Sequence, residues 1–210
     1  MDENKARFLQ LCRENIHREG IDSLLSWLET ESDFFSAPAS TRYHSAYAGG
    51  LCKHSLNVYD RLVREIISEY GEFDADNNVK INDQTVSLES VTIIALFHDL
   101  SKTNFYISSM RNVKEGNEWK QVPFYQVNPK PDPSLVYGTH AENSVYMLNN
   151  FILTSHLENV CIRHHMGGKD TSEAHSNETN TTTVFSYFPL ALLTHIADMK
   201  ATYMDEVSVE

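Results

Sequence analysis

Between Ser87 and Lys102 the chain is apolar on nearly every side. Leu88, Val91, Ile93, Ile94, Ala95, Leu96, Phe97 and Leu100 leave no coherent polar face. A helix of that kind cannot lie on a surface and has to be enclosed by other elements. A helical bundle built around residues 87–102 is therefore the first expectation. The segment ends in His98-Asp99, and an ionised carboxylate beside so apolar a stretch is costly unless it is paired or bound to a metal. For one such residue taken alone, a helix cap or a salt bridge is the commoner explanation.

The rest of the chain supplies elements to enclose that helix. Residues 4–31 read as two short helices separated by Gly20, with Phe8, Leu9, Leu11, Cys12 and Ile16 on one stripe and Ile21, Leu24, Leu25 and Leu28 on another. A connector from Ser32 to Thr41 follows. Gly49-Gly50 then opens a long helix from Leu51 to about Tyr70, closed by Gly71. Residues 72–87 read as a polar loop. Its Asp74, Asp76 and Asn78 echo a calcium-binding loop, but Val79 and Thr85 stand where that loop needs Gly and Glu. Residues 105–127 turn aromatic and β-branched around Lys114-Glu115-Gly116-Asn117, which predicts a β-hairpin. Pro129, Pro131 and Pro133 make a stiff linker, and helices resume at about 139–154 and 157–166. A polar loop over 167–183 precedes a last helix with Pro189 as its first residue, running to about Met204. The expected fold is all-α with one small inserted hairpin, and 210 residues suit a single domain.

Charge narrows the function. Lys and Arg total 17 against 29 Asp and Glu, a net charge of −12, which speaks against a long nucleic acid as partner. Three cysteines at unrelated spacings suggest a reducing compartment. The longest apolar run, Ile93 to Phe97, is far short of a membrane span. With no apolar leader visible at the start, the expected location is the cytoplasm.

Histidine is the unusual component: ten residues, outnumbering the eight glycines. His54, His98-Asp99, His140, His164-His165 and Asp198 each fall inside or at the end of a predicted helix. Several helices can bring imidazoles and carboxylates together in one bundle interior, which is how bundle-core metal sites are built. Such a set suits a divalent transition metal (Mn, Fe, Co, Ni or Zn) better than calcium.

The order His … His-Asp … His … His-His … Asp resembles the HD superfamily of metal-dependent phosphohydrolases. Gly49-Gly50-Leu51-Cys52-Lys53-His54-Ser55-Leu56 is similar to the GGLxxHS/T segment of HD proteins related to bacterial 3′–5′ exoribonucleases. His98-Asp99-Leu100-Ser101-Lys102 resembles the HDxGK box, with Ser101 where Gly is usual, and His164-His165-Met166-Gly167 resembles the HHxG box. The likeness covers about residues 42–206, leaving 1–41 as a helical extension ahead of an HD core. No OB-like β-domain precedes that core, as it does in RNA-degrading relatives. The resemblance implies two metals, one held by His54, His98, Asp99 and Asp198, the other by His140, His164 and His165, with Asp99 bridging.

Lys102, three residues after Asp99 on the same helical face, would bind a substrate oxyanion and stabilise charge in the transition state; a solvated lysine favouring the helix dipole is the alternative. Arg163 is a second candidate for phosphate, or else a surface ion-pair residue. His44 would line the substrate entrance and His195 would orient Asp198. Two metals suit hydrolysis of a small phosphoester such as a nucleotide. Two other functions fit the same residues: a mixed-valent di-iron oxygenase if His164 is not a ligand, and a metal-binding regulatory protein without turnover. The hairpin, with Tyr106, Arg111, Lys114, Trp119, Lys120 and Tyr125, would wall the substrate, cover the bundle or make the contact of a homo-oligomer.

Overall fold

The computed structural model describes residues 3–116, 118–130, 138–167 and 181–206. Two helices, α1 (Glu3–Asn15) and α2 (Ile21–Thr30), open the chain. Gly20 joins them at φ 93°, and a Cβ at this position would sit 1.9 Å from the Phe151 carbonyl oxygen, so only glycine fits. The long helix α3 (Gly50–Tyr70) follows.

Residues 72–87, expected as a loop, hold a short hairpin of β1 (Asn78–Ile81) and β2 (Gln84–Ser87). Val79, Ile81 and Val86 are buried; three aliphatics spread among polar neighbours made too weak a pattern to read as strand. Ser87 then caps α4 (Leu88–Phe97), its hydroxyl accepting from the Ser90 N–H. Val91 to Phe97 are all buried, as the apolar pattern requires. Helices α1 and α3 pack against α4, and so does α6 (His156–Arg163). The helix stops at Phe97, five residues before the expected Lys102. Asp99 leaves helical geometry at φ −108°, and Leu100–Lys102 form a tighter 3₁₀ turn.

The predicted hairpin consists of two ten-residue antiparallel strands, β3 (Tyr106–Glu115) and β4 (Glu118–Val127), in register from Tyr106↔Val127 to Glu115↔Glu118. Both α5 (His140–Asn149) and α6 begin with reciprocal capping boxes, Thr139 with Glu142 and Ser155 with Glu158. The helix α7 (Thr181–Tyr187) starts where the polar loop was expected to continue and anchors through Val184. Pro189 opens α8 (Pro189–Lys200), which runs on into a wide π-helical turn, Ala201–Glu206. Helix α8 packs on α3 and α6.

The all-α expectation is corrected in detail: the described residues are mostly helical but carry two two-stranded sheets. Pro131, Pro133 and most of the 167–183 loop lie outside them. Among the described residues no helix is long and apolar enough to cross a membrane.

Candidate metal centre

Five elements deliver side chains to one buried point. His54 comes from the first turn of α3. Gly50 lets the preceding loop close over that turn, because a Cβ there would lie 1.9 Å from the Ser45 carbonyl oxygen; His44 is thereby held 4.9 Å from His54, ring to ring. His98 and Asp99 end α4, His140 begins α5, His165 follows α6, and Asp198 lies on α8. His54, His98 and His165 are fully buried, and Asp99 and Asp198 nearly so.

Asp99 divides the cluster. Its Oδ2 lies 3.3 Å from His98 Nε2 and 3.5 Å from His54 Nε2. Its Oδ1 lies 3.4 Å from His140 Nε2 and 3.6 Å from His165 Nε2. Within each set the imidazoles face each other Nε2 to Nε2, 3.2 Å apart in both cases. Asp198 Oδ1 joins the first set, 3.2 Å from His54 Nε2. Donors bound at about 2.0–2.1 Å to a tetrahedral metal stand about 3.3–3.4 Å apart, so both sets have the spacing of a coordination shell.

The tautomers agree. His98 Nδ1 donates to the Ala95 carbonyl at 2.8 Å, His165 Nδ1 to the Ile162 carbonyl at 2.7 Å, and His54 Nδ1 to Glu206 Oε1 at 3.0 Å. With Nδ1 holding the proton, each ring in its neutral form would turn the lone pair of Nε2 inward. Lone pairs 3.2 Å apart repel unless a cation lies between them. Asp99 Oδ1 is buried and has no hydrogen-bond partner, an expensive arrangement that a metal would relieve. The donor set fits one or two divalent ions; the geometry does not name the element.

The electrostatics describe the metal-free state. Burial opposes a charge on His54, yet its hydrogen bonds to Asp198 and Glu206 raise its pKa to about 10. Burial works against Asp198 too, but His54 holds that carboxyl well below the usual range. Asp99 is likewise held low despite burial, chiefly by the charges of Lys102 and His98. Burial lowers the His165 pKa, and burial with the charges of His54 and Lys102 brings His44 down to about 4. A proton on His54 thus occupies the place of a metal charge.

Not every expected residue joins. His164 caps the end of α6, half-buried, with Nε2 3.5 Å from Arg163 Nη1, and belongs to neither donor set. The chain turns there, so its ring and that of His165 diverge. Arg163 is tied to Glu142 through Nη2 at 2.8 Å and Nε at 3.0 Å, away from the cluster. His195 donates Nδ1–H to the His165 carbonyl at 2.7 Å; it braces the His165 backbone, where the sequence suggested it would orient Asp198. Lys102 Nζ lies 2.6 Å from Asp99 Oδ2, brought there by the 3₁₀ turn and not by an α-helical face.

A cavity of about 780 Å³ opens beside the cluster, with Asp99, His140 and Asp198 in its wall next to Lys102, His44 and His195. Phe105, Tyr106, Tyr203 and Arg42 complete much of the lining. Glu206 was missed by the sequence reading. It accepts from His54 Nδ1, from Asn57 at 2.9 Å and from Ser45 at 2.7 Å, which makes it the group that sets the His54 tautomer. Its only signal was its place two turns beyond Asp198.

Compared with protein-family models, curated proteins and solved structures, the chain finds no match.

Proposed function

We propose that the protein is a metal-dependent phosphohydrolase of the HD type, acting on a nucleotide or another small phosphoester. The observation that carries this is the Asp99 carboxylate, whose two oxygens face separate histidine pairs at coordination-shell spacing. One set would comprise His54, His98, Asp99 and Asp198; the other would comprise Asp99, His140 and His165. Divalent metals supply Lewis acidity toward a phosphoryl oxygen and acidify water. The chain's own residues do the rest. Lys102, in the cavity wall, offers an ammonium to a phosphate oxyanion while its partner Asp99 faces the metals. Arg42 offers a second cation, and Phe105 and Tyr106 an aromatic wall for the organic part of the ester.

One observation favours a second reading. With His164 outside the donor sets, four histidines and two aspartates remain, the set expected of a mixed-valent di-iron oxygenase. The two readings separate in one experiment: metal analysis of the purified protein, then a phosphoester screen with added manganese or cobalt, with and without oxygen. Colourless, oxygen-independent release of phosphate or alcohol supports the hydrolase. A chromogenic iron pair that consumes oxygen and leaves phosphoesters intact overturns it.

A further inference from the structure

The β3–β4 hairpin has an open edge. Asn128 donates its N–H to the Phe105 carbonyl at 2.9 Å, directly across the ladder. Bonded and non-bonded pairs alternate along antiparallel strands, so in the observed register Ile107, Ser109, Arg111 and Val113 exchange bonds with β4. Ser108, Met110, Asn112 and Lys114 turn their N–H and C=O groups away from it. No backbone partner meets those groups among the described residues. The outer edge of β4 is different: Pro123, opposite Met110, has no N–H to offer there, which blunts that edge.

The outer half of the ribbon is also bare on both faces, with Met110 54%, Val113 37% and Trp119 69% exposed. A lone two-stranded ribbon is marginal in water, and additional strands make it stable. The exposed half carries Arg111, Lys114 and Lys120 against Glu115 and Glu118. That near balance suits neither a polyanion nor a polycation but suits a copy of itself.

We propose that two copies of the chain pair through β3, antiparallel about a two-fold axis at Val113, to form a four-stranded sheet. This register sets Val113 against the partner's Val113 and, on either side, Arg111 against the partner's Glu115. Asn112 and Lys114 exchange main-chain hydrogen bonds across the interface. Registers centred on Arg111 would oppose like charges. The strand from Tyr106 to Val113 spans about 24 Å, which keeps the two helical bodies clear of each other. The metal cluster takes no part, so the inference stands apart from the proposed activity.

The test is sedimentation equilibrium of the full chain across a concentration series, expected to give twice the 24.0 kDa mass of one chain. Asn112→Pro removes an outward N–H without touching the β4 ladder and should yield a monomer that keeps the circular-dichroism spectrum of the folded helical body. Arg111→Glu alone and Glu115→Arg alone each oppose like charges and should be monomeric; mixing the two should restore the dimer, which a folding defect cannot do. Val113→Cys should cross-link on addition of diamide, because non-bonded pairs bring Cα atoms to about 4.5 Å and the native cysteines are buried. A wild-type monomer at every concentration overturns the proposal. So does a dimer that ignores Asn112→Pro, or a monomer whose ribbon variants instead weaken binding of a single-stranded oligonucleotide.

Discussion

Among the buried carboxylates of the described residues, Glu158 and Asp99 are treated in opposite ways. Glu158 on α6 is fully enclosed and fully served. Arg18 grips both oxygens at 2.6 Å, Ser90 donates at 2.7 Å, and the Ser155 N–H at 2.7 Å. Asp99 is as deeply buried, yet one oxygen has no hydrogen bond, and four imidazole nitrogens stand around it at 3.3–3.6 Å. Glu158 joins the N-terminal helices to the bundle, as Arg18 comes from the α1–α2 turn and also meets Glu89 at 3.4 Å. A buried acid surrounded by donors holds a fold together. One whose free oxygen faces imidazole nitrogens has the surroundings of a group that could bind a metal.

Substitution should separate the two roles most sharply at Asp99. Asp99→Ala removes the only group shared by both donor sets, so metal content should fall to background and activity with it. The metal-free protein should also melt lower, because Lys102 loses the carboxylate 2.6 Å from its Nζ. Arg18→Ala should touch stability alone: it strands Glu158 and costs about 3–5 kcal/mol, while the surviving folded fraction keeps its metal. Metal analysis beside thermal melts checks both. A stable, metal-free Arg18 variant would erase the contrast.

The same pair differs in acid. Burial pushes the Glu158 pKa up, but its bonds to Arg18, Ser90 and Ser155 bring it below the ordinary value. The stability it contributes is therefore present above about pH 4.3 and lost as pH falls through the folded value. Glu158→Gln should flatten that part of the acid-stability curve.

The His/Asp cluster should respond at higher pH. His54 is raised to about 10 without metal; its stabilisation of the metal-free fold is complete below about 6.5 and lost as pH rises through 10. A metal must displace that proton. Apparent affinity should accordingly rise about tenfold per pH unit across neutrality, measured by metal titration in buffers of different ionisation enthalpy. A pH-independent affinity would mean that His54 binds no metal.

Lys102 belongs to the Asp99 side of the comparison. Lys102→Ala should slow turnover on the true substrate about tenfold to two-hundredfold, the worth of one charge-assisted contact of about 1.5–3 kcal/mol. Metal affinity should hold or improve, since the ammonium shares Asp99 Oδ2 with the first donor set. Single-turnover kinetics beside metal titration would show it.

How much of this the sequence revealed depends on range. The enclosed helix α4, the hairpin at 106–127 and Pro189 at the head of α8 were all legible, because each follows from local pattern. The His and Asp residues that gather from α3, α5 and α8 and from the ends of α4 and α6 were legible as well, through their order along the chain. What escaped was set by turns. The helix α4 breaks at His98-Asp99, which no propensity marks. The π turn at 201–206 carries Asp205 to Arg61 and Glu206 to His54, although an acidic pair near a helix end reads as solvated surface. Arg18 and Glu158 lie 140 residues apart, and nothing local links them.

The smallest effect tests the finest distinction, between adjacent histidines. His164 and His165 are chemically identical and one residue apart, yet only His165 points Nε2 at Asp99 and has its Nδ1 proton fixed by a carbonyl. Burial and the neighbouring charge of Arg163 lower the His164 pKa, which keeps that ring neutral beside the guanidinium. His165→Ala should empty the second donor set, leaving one metal per chain. His164→Ala should leave metal stoichiometry unchanged and turnover within about twofold, since a half-exposed side chain with one weak contact contributes little. If His164→Ala instead lost a metal, the turn after α6 would have to rotate on binding. Seven donors would then hold the ions, one histidine more than the set expected of a di-iron oxygenase.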